Sequence, residues 1–188
     1  SYTVAANEGP ERAGNITISV AGGNSIVVKV SQTAKPAEGT ITDVVTVALF
    51  NLGSGYSDFS GVSVTSDAVY AGNAMKNGAN IQMRCSDSDE DPSGIITTES
   101  GGKVKTISVK WASTTAEGRT LNIYGSNTPY ASAGDLYSDS VTPIATIVKG
   151  EGKPVSVEID ADYSYIGFRS NSRTMYLEQI EIVWDTVE

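Results

Sequence analysis

An acidic run, S-D-S-D-E-D-P-S-G, holds the side chains of this chain that are best suited to metal binding. Asp87, Asp89 and Asp91 alternate with other residues, as the first oxygen ligands of a calcium loop do. An EF-hand would have glycine in place of Pro92 and glutamate in place of Thr98, so the run is not an EF-hand. The three aspartates are predicted ligands of a looser structural calcium site, and the alternative is a solvated acidic loop.

Catalysis has few candidate residues, because the chain contains no histidine. Its absence excludes Ser-His-Asp triads, histidine general acid–base chemistry and the usual zinc sites. Cys85 alternates with Ile81 and Met83, so we expect it in the core. Glycoside hydrolysis needs two carboxyl groups roughly 5–9 Å apart. We expect no enzyme activity and no catalytic residue, although four acidic residues are candidates by type alone: Asp160, Asp162, Glu178 and Glu181.

The tyrosines and arginines of the chain are the residues best suited to a binding surface. The chain has nine tyrosines and only three phenylalanines. Sugar rings stack on aromatic faces, and planar donors such as arginine bind sugar hydroxyls. Tyr56 and Tyr137 lie in or beside predicted loops, whereas Trp111 and Trp184 continue apolar strand faces and belong to the predicted core. Tyrosines also cover sheet edges, and arginines also pair with acidic residues across a sheet. The predicted ligand-binding set is Tyr70, Arg84, Arg119, Tyr124, Tyr130 and Arg169.

Composition excludes several classes of protein. The net charge of −9 disfavours nucleic acids and anionic polymers as partners. The longest apolar run, residues 44–50, is far shorter than the roughly 20 residues of a membrane-spanning helix. A single cysteine allows no intrachain disulfide, so the cysteine count fits a cytosolic and an exported protein equally well. Ser1 opens directly on strand-like sequence, as expected of a processed, mature product.

Alternation of apolar and polar residues predicts a protein made of short strands. Val44, Val45, Ala48 and Leu49 instead form one helical stripe, which predicts a short helix after Thr42. The last stretch, residues 165–184, reads as two strands joined by a tight turn at residues 170–172. Residues 131–136 are expected to form one helical turn. Strands are predicted near residues 60–64, 69–72, 79–85, 94–98, 103–111, 119–125, 143–148, 154–160, 164–169 and 176–184.

The first 33 residues contain three alternating stretches separated by turns rich in Gly and Asn. Y-T-V-A-A-N-E-G-P-E-R-A-G-N-I-T-I-S-V, followed by S-I-V-V-K-V-S-Q-T-A, resembles the last strands of BACON domains. Those are immunoglobulin-like sandwiches common in exported polysaccharide-handling proteins of Bacteroidetes. The resemblance implies a partial, three-strand immunoglobulin-like segment in residues 1–36, which includes a linker rich in Pro and Gly.

The rest of the chain, residues 40–188, reads as one antiparallel β-sandwich, a jelly roll. The segments V-Y-A-G-N, I-Q-M-R-C-S, S-G-G-K-V-K-T-I-S-V-K-W, G-R-T-L-N-I-Y-G-S and Y-I-G-F-R-S-N-S occur in that order. They resemble a carbohydrate-binding-module-like jelly roll attached to exported Bacteroidetes proteins. The resemblance covers residues 42–186, and such modules often carry a structural calcium ion.

These observations predict an all-β accessory module that binds a polysaccharide or other glycan without catalysis. The resemblances imply an exported protein, secreted or at the cell surface, with another domain of the same protein as a further partner. Nucleic acid and membrane insertion are not expected. The alternative is a structural or protein-interaction module, such as an adhesin-like spacer or a domain that docks an enzyme.

Overall fold

The computed structural model describes residues 12–19, 21–32, 39–85 and 91–186, and within them the protein is almost entirely β. The chain divides into two compact units, Ser1–Ala37 with Glu188, and Glu38–Val187. All strand pairs are antiparallel. The prediction of an all-β, antiparallel sandwich is therefore confirmed.

The first unit contains a hairpin of β1 (Arg12–Ile18) and β2 (Ile26–Gln32). The turn passes through Gly22, whose φ of 78° lies in the left-handed region that glycine adopts without strain. These are two of the three strands predicted here. The strand predicted for the first residues of the chain lies outside the described residues.

The second unit begins with β3 (Thr40–Val45) and a single helical turn, α1 (Val47–Phe50). The short helix predicted after Thr42 is wrong for residues up to Val45, which belong to β3. These residues pair with six consecutive residues of the last strand, where their β-branched side chains pack well. The strands that follow are β4 (Ser57–Val62), β5 (Val69–Asn77), β6 (Asn80–Met83), β7 (Gly94–Glu99), β8 (Lys103–Trp111), β9 (Thr120–Ser126), β10 (Ala145–Val148), β11 (Ser156–Glu158), β12 (Tyr165–Ser170) and β13 (Met175–Asp185).

Two sheets face each other. The front sheet has the order β10-β9-β12-β7-β5-β4, and the back sheet has the order β5-β6-β13-β8-β11, with β3 also paired to β13. Strand β5 belongs to both sheets: residues 69–73 pair with β7, and residues 75–77 pair with β6. This shared strand closes one side of the sandwich.

The main core fills the space between the sheets. Ile166 and Phe168 of β12 and Ile180, Ile182 and Trp184 of β13 are completely buried in it. The last two strands therefore exist as predicted, but β12 lies in the front sheet and β13 in the back sheet. The turn between them crosses from one sheet to the other, because each strand must direct its apolar face into the same core.

A second, smaller core lies on the outer face of the front sheet. It joins Ile96 and Tyr124 of the sheet to Tyr130 and Leu136 of the segment that follows β9. That segment contains a 3₁₀ helix, Ala133–Tyr137, close to the helical turn predicted at residues 131–136. Leu136 can approach the sheet because Gly167 has no side chain: an added Cβ there would lie 2.5 Å from Leu136 Cδ2. Neither helical segment of the described residues has the length or apolarity to cross a bilayer.

Candidate functional site

A groove of about 480 Å³ lies on the outer face of the front sheet, beside the segment that carries the 3₁₀ helix. Strands β4, β5 and β7 form its floor, and residues Ala131–Ala133 form a wall. Ala71 and Gly72 of β5 lie in this floor. Gly72 has a φ of +146°, and an added Cβ would lie 2.1 Å from the carbonyl oxygen of Gly94. Glycine at this position therefore permits the close approach of β5 to β7.

Two polar side chains stand side by side on one flank of the groove. Asp58 of β4 and Asn73 of β5 are opposite each other in the strand register, and Asn73 Nδ2 donates to Asp58 Oδ1 at 2.9 Å. Asn73 Oδ1 is buried and accepts no hydrogen bond within the protein. Asp58 is exposed and accepts at one of its two carboxylate oxygens. The flank thus offers the second Asp58 oxygen as an unused hydrogen-bond acceptor.

Asp91 lies at another edge of the groove and is paired with Arg84. The Arg84 guanidinium carbon lies 4.1 Å from the centroid of the Tyr56 ring, a cation–π geometry. Burial raises the pKa of Tyr56, although hydrogen bonding from Gln82 and the charge of Arg84 partly oppose that shift. Among the residues predicted from the sequence as ligands of a glycan, Arg84 is the one that the structure brings to this groove, through Asp91.

A reciprocal set of hydrogen bonds holds the wall of the groove. Ser132 Oγ accepts from the backbone N–H of Gly134 at 3.2 Å, and the Asp135 carboxylate accepts from the N–H of Ala131 at 2.6 Å and of Ser132 at 3.3 Å. This is a capping box, which satisfies backbone donors at the start of the helical turn. The spacing S-A-G-D at residues 132–135 is the sequence signal by which this wall could be predicted.

The three tyrosines predicted as ligands are all buried. Tyr70 is completely buried in the main core, and its hydroxyl donates to Asp43 at 2.6 Å. Tyr124 is 2% exposed in the small outer core and accepts from Asn122 at 3.2 Å. Tyr130 is 7% exposed, and burial, followed by the charge of Asp135, raises its pKa to about 12. The three tyrosines pack in the two cores on either side of the front sheet, and none of them lines the groove.

The other two predicted arginines also lie outside the groove lining. The Arg169 guanidinium carbon is 3.8 Å from the centroid of the Tyr137 ring, and Nη1 donates to the carbonyl oxygen of Leu136 at 2.9 Å. Tyr137 in turn accepts from and donates to the backbone of Ser93, both at 3.0 Å. Arg169 therefore fastens the 3₁₀ helix to the sheet. Arg119 is half-buried just before β9, and its Nε is buried without a partner.

Only one of the three predicted calcium ligands, Asp91, lies within the described residues. Asp91 is exposed and bound to Arg84, whereas Asp87 and Asp89 lie outside the described residues. The described part of the chain contains no group of three metal-ligating side chains. A calcium site at these three aspartates stays a prediction.

The carboxylates considered for glycoside hydrolysis have structural partners in the back sheet and its edge. Lys103 pairs with Asp162 at 3.4 Å, and Lys110 pairs with Glu178 at 2.6 Å. Glu181 accepts from Ser108 at 3.2 Å and from Gln179 at 2.6 Å. The fourth, Asp160, is exposed at a strand end.

Cys85 lies beyond the end of β6 and is half-buried. The expectation that it belongs to the core is wrong, because the alternating pattern of Ile81 and Met83 ends with the strand at Met83. Trp111 and Trp184 are core residues as predicted.

A buried carboxylate organises the opposite end of β5. Asp43 is 1% exposed and accepts from the hydroxyls of Ser63 at 2.6 Å, Ser66 at 2.5 Å and Tyr70 at 2.6 Å, from that of Thr65, and from Trp184 Nε1 at 2.9 Å. Burial by itself raises the pKa of Asp43. The hydroxyl hydrogen bonds outweigh it, so the pKa lies below its ordinary value. Sequence reasoning missed this cluster, because its members come from β3, β5, β13 and one loop.

No protein-family model, curated protein or solved structure matches the chain.

Proposed function

We propose that this protein is a non-catalytic carbohydrate-binding module that holds a glycan in the groove beside residues 131–133. The observation that carries the proposal is the groove itself: about 480 Å³ of space with Asp58, Asn73 and Asp91 at its edges and Ala71 and Ile96 in its lining. Ligand sites typically have volumes of roughly 300–1,000 Å³ and combine apolar surface with a few polar groups. A sugar has the matching surface, with hydroxyls at its edges and C–H groups on its faces.

The hydrogen-bonding groups of the groove suit sugar hydroxyls, which both donate and accept. In this proposal the second carboxylate oxygen of Asp58 accepts from one hydroxyl, and the second N–H of Asn73 Nδ2 donates to a neighbouring one. In this proposal the module is an accessory part of an exported protein, secreted or at the cell surface, and another domain of that protein is a further partner.

A binding screen with a matched pair of variants tests the proposal. The full chain is titrated with a panel of soluble polysaccharides and oligosaccharides, with calcium and with a chelator. Asn73→Ala should weaken any binding by about tenfold, the effect of one lost hydrogen bond of about 1.4 kcal/mol. Asn77→Ala is the control, because Asn77 lies farther along the same strand and outside the groove lining.

Absence of binding across the panel would contradict the proposal, and so would equal losses in the two variants. Loss of binding in the chelator alone would support a calcium site at Asp87, Asp89 and Asp91.

A protein-interaction module is the second candidate, and exposed valines favour it. Val62 is 57% exposed and Val64 is 96% exposed, and Val44, which is 50% exposed, lines a pocket of about 240 Å³ together with Val64. Exposed apolar side chains grouped in this way are typical of contact surfaces. This candidate predicts that no glycan binds, and that Val64→Ser weakens association with a neighbouring domain of the same protein in size-exclusion chromatography.

A further inference from the structure

We propose that the groove prefers a glycan with free amino groups, of the glucosamine type, over neutral or acidic glycans. This inference rests on the proposed function and specifies its ligand class. It follows from the charge and the hydrogen-bonding character of the side chains that line the groove.

The described lining of the groove has carboxylates and no cationic side chain. Asp58 and Asp91 line it, and no lysine or arginine does. Arg84 neutralises Asp91 from outside the lining, where its guanidinium is held over Tyr56. The unbalanced charge of the groove is therefore that of Asp58, which has no cationic partner among the described ion pairs and is exposed to solvent.

Asp58 presents an unused acceptor to a ligand. Asn73 Nδ2 donates to Asp58 Oδ1, which leaves the second carboxylate oxygen of Asp58. An ammonium group has three donors and a positive charge, so it matches this carboxylate better than a hydroxyl does. A hydrogen bond between an ammonium and a carboxylate is roughly twice as strong as one between neutral groups.

The same groups disfavour the other ligand classes. A uronic acid would bring its carboxylate towards the unpaired charge of Asp58, and like charges repel. An N-acetylated sugar keeps one amide donor but loses the charge. The net charge of −9 adds a weaker attraction for any cationic polymer, and a control must separate that general attraction from the groove.

The test compares three hexasaccharides with the full chain by calorimetric titration at low salt and at a pH where amines are protonated. They are a glucosamine oligomer, its fully N-acetylated form and a galacturonate oligomer. The glucosamine oligomer should bind about tenfold or more tightly than its N-acetylated form, which corresponds to one charge-assisted hydrogen bond. The galacturonate oligomer should be the weakest ligand.

Asp58→Asn is the informative variant, because it keeps an acceptor for Asn73 and removes the charge. It should weaken binding of the glucosamine oligomer more than binding of the N-acetylated oligomer, so that the preference for the amine falls several-fold. Asp160→Asn removes the same charge from an exposed site outside the groove lining and should leave the preference intact.

The outcomes separate the inference from the proposed function. If neutral oligomers bind as tightly as the amine, and Asn73→Ala weakens both, the preference is wrong and the carbohydrate site stands. Equal losses in Asp58→Asn and Asp160→Asn would assign the preference to general charge and overturn the inference. If neither these oligomers nor the wider panel bind, both proposals fail.

Discussion

At the scale of single residues, Asp43 is a buried carboxylate that joins both sheets of the sandwich. Its carboxylate receives donors from the loop Ser63–Ser66, from Tyr70 of β5 and from Trp184 of β13. A buried carboxylate is tolerated only when such donors replace the water that it has lost. The cluster therefore joins both sheets to the loop at one end of the sandwich.

Replacing Asp43 should destabilise the protein strongly. Asp43→Ala leaves several buried donors without an acceptor, and we expect the free energy of unfolding to fall by about 3–5 kcal/mol. Urea unfolding followed by tryptophan fluorescence measures the loss. Asp160→Ala, at an exposed position, is the control and should change little. A loss for Asp43→Ala no larger than that of the control would contradict the role assigned to the cluster.

The same residue predicts a particular response to acid. The folded protein holds the pKa of Asp43 below the ordinary value of 3.8, so the unfolded chain takes up this proton at a higher pH than the folded protein. The resulting stabilisation is complete above the unfolded-state pKa and is lost as pH falls through it towards the folded-state pKa.

Asp43→Asn lacks this titration, so the difference in unfolding free energy between it and the wild type should shrink as pH falls below about 4. Urea unfolding at a series of pH values measures this difference. A difference independent of pH would contradict a lowered pKa.

At the scale of elements, the segment that carries the 3₁₀ helix decides whether a groove exists. Leu136 fixes this segment to the sheet, where it is 1% exposed and packs over Gly167. Arg169 fixes it a second time by stacking on Tyr137 and donating to the carbonyl oxygen of Leu136. The wall at residues 131–133 is continuous with this anchored helix.

Removing the anchor should loosen the wall as well as the fold. Leu136→Ala is expected to cost about 2–4 kcal/mol of stability, as for other buried leucines. Amide hydrogen exchange at residues 131–137 should accelerate more than exchange in β8, because the segment opens locally. A uniform increase in both places would contradict a local role for Leu136.

The sequence predicted elements with strong local patterns and missed features that depend on distant pairings. Strand β8 was predicted at residues 103–111, since Ile107, Val109 and Trp111 alternate with polar residues. Tyr124 and Tyr130 are expected at a surface, but the segment after β9 folds back onto the sheet and buries its own Tyr130 together with Tyr124. The groove itself forms where β4, β5 and β7 meet the wall, and no local pattern specifies that meeting.

The two arginine–tyrosine stacks also depend on residues that are distant in sequence. The similar runs I-Q-M-R and I-G-F-R end in Arg84 and Arg169, each of which lies over a tyrosine ring. Their partners, Tyr56 and Tyr137, are 28 and 32 residues away in sequence. The local pattern therefore identifies the two arginines as candidates but does not predict which tyrosine each one contacts. A binding surface shared by both arginines would require that they lie on adjacent strands of one sheet. Arg84 instead follows β6 of the back sheet, and Arg169 lies in β12 of the front sheet.

At the scale of the whole molecule, the sandwich should fold without the first unit. Glu38–Val187 has its own core, and a domain of about 150 residues buries roughly 68–70% of the surface of its unfolded chain. A protein that comprises residues 38–188 should unfold in one cooperative thermal transition, at the midpoint of the main transition of the full chain. A fragment without near-ultraviolet circular dichroism would contradict the division into two units.

The central claim is that a glycan occupies the groove on the front sheet. The most direct test is to titrate the isotope-labelled full chain with the tightest oligosaccharide of the panel and follow the backbone amide resonances. We predict that the largest shifts occur at Asp58, Asn73, Ile96 and Ser132, and that β8 and β11 in the back sheet hardly change. Largest shifts in the back sheet, or at the exposed valines near Val64, would contradict a glycan site in this groove.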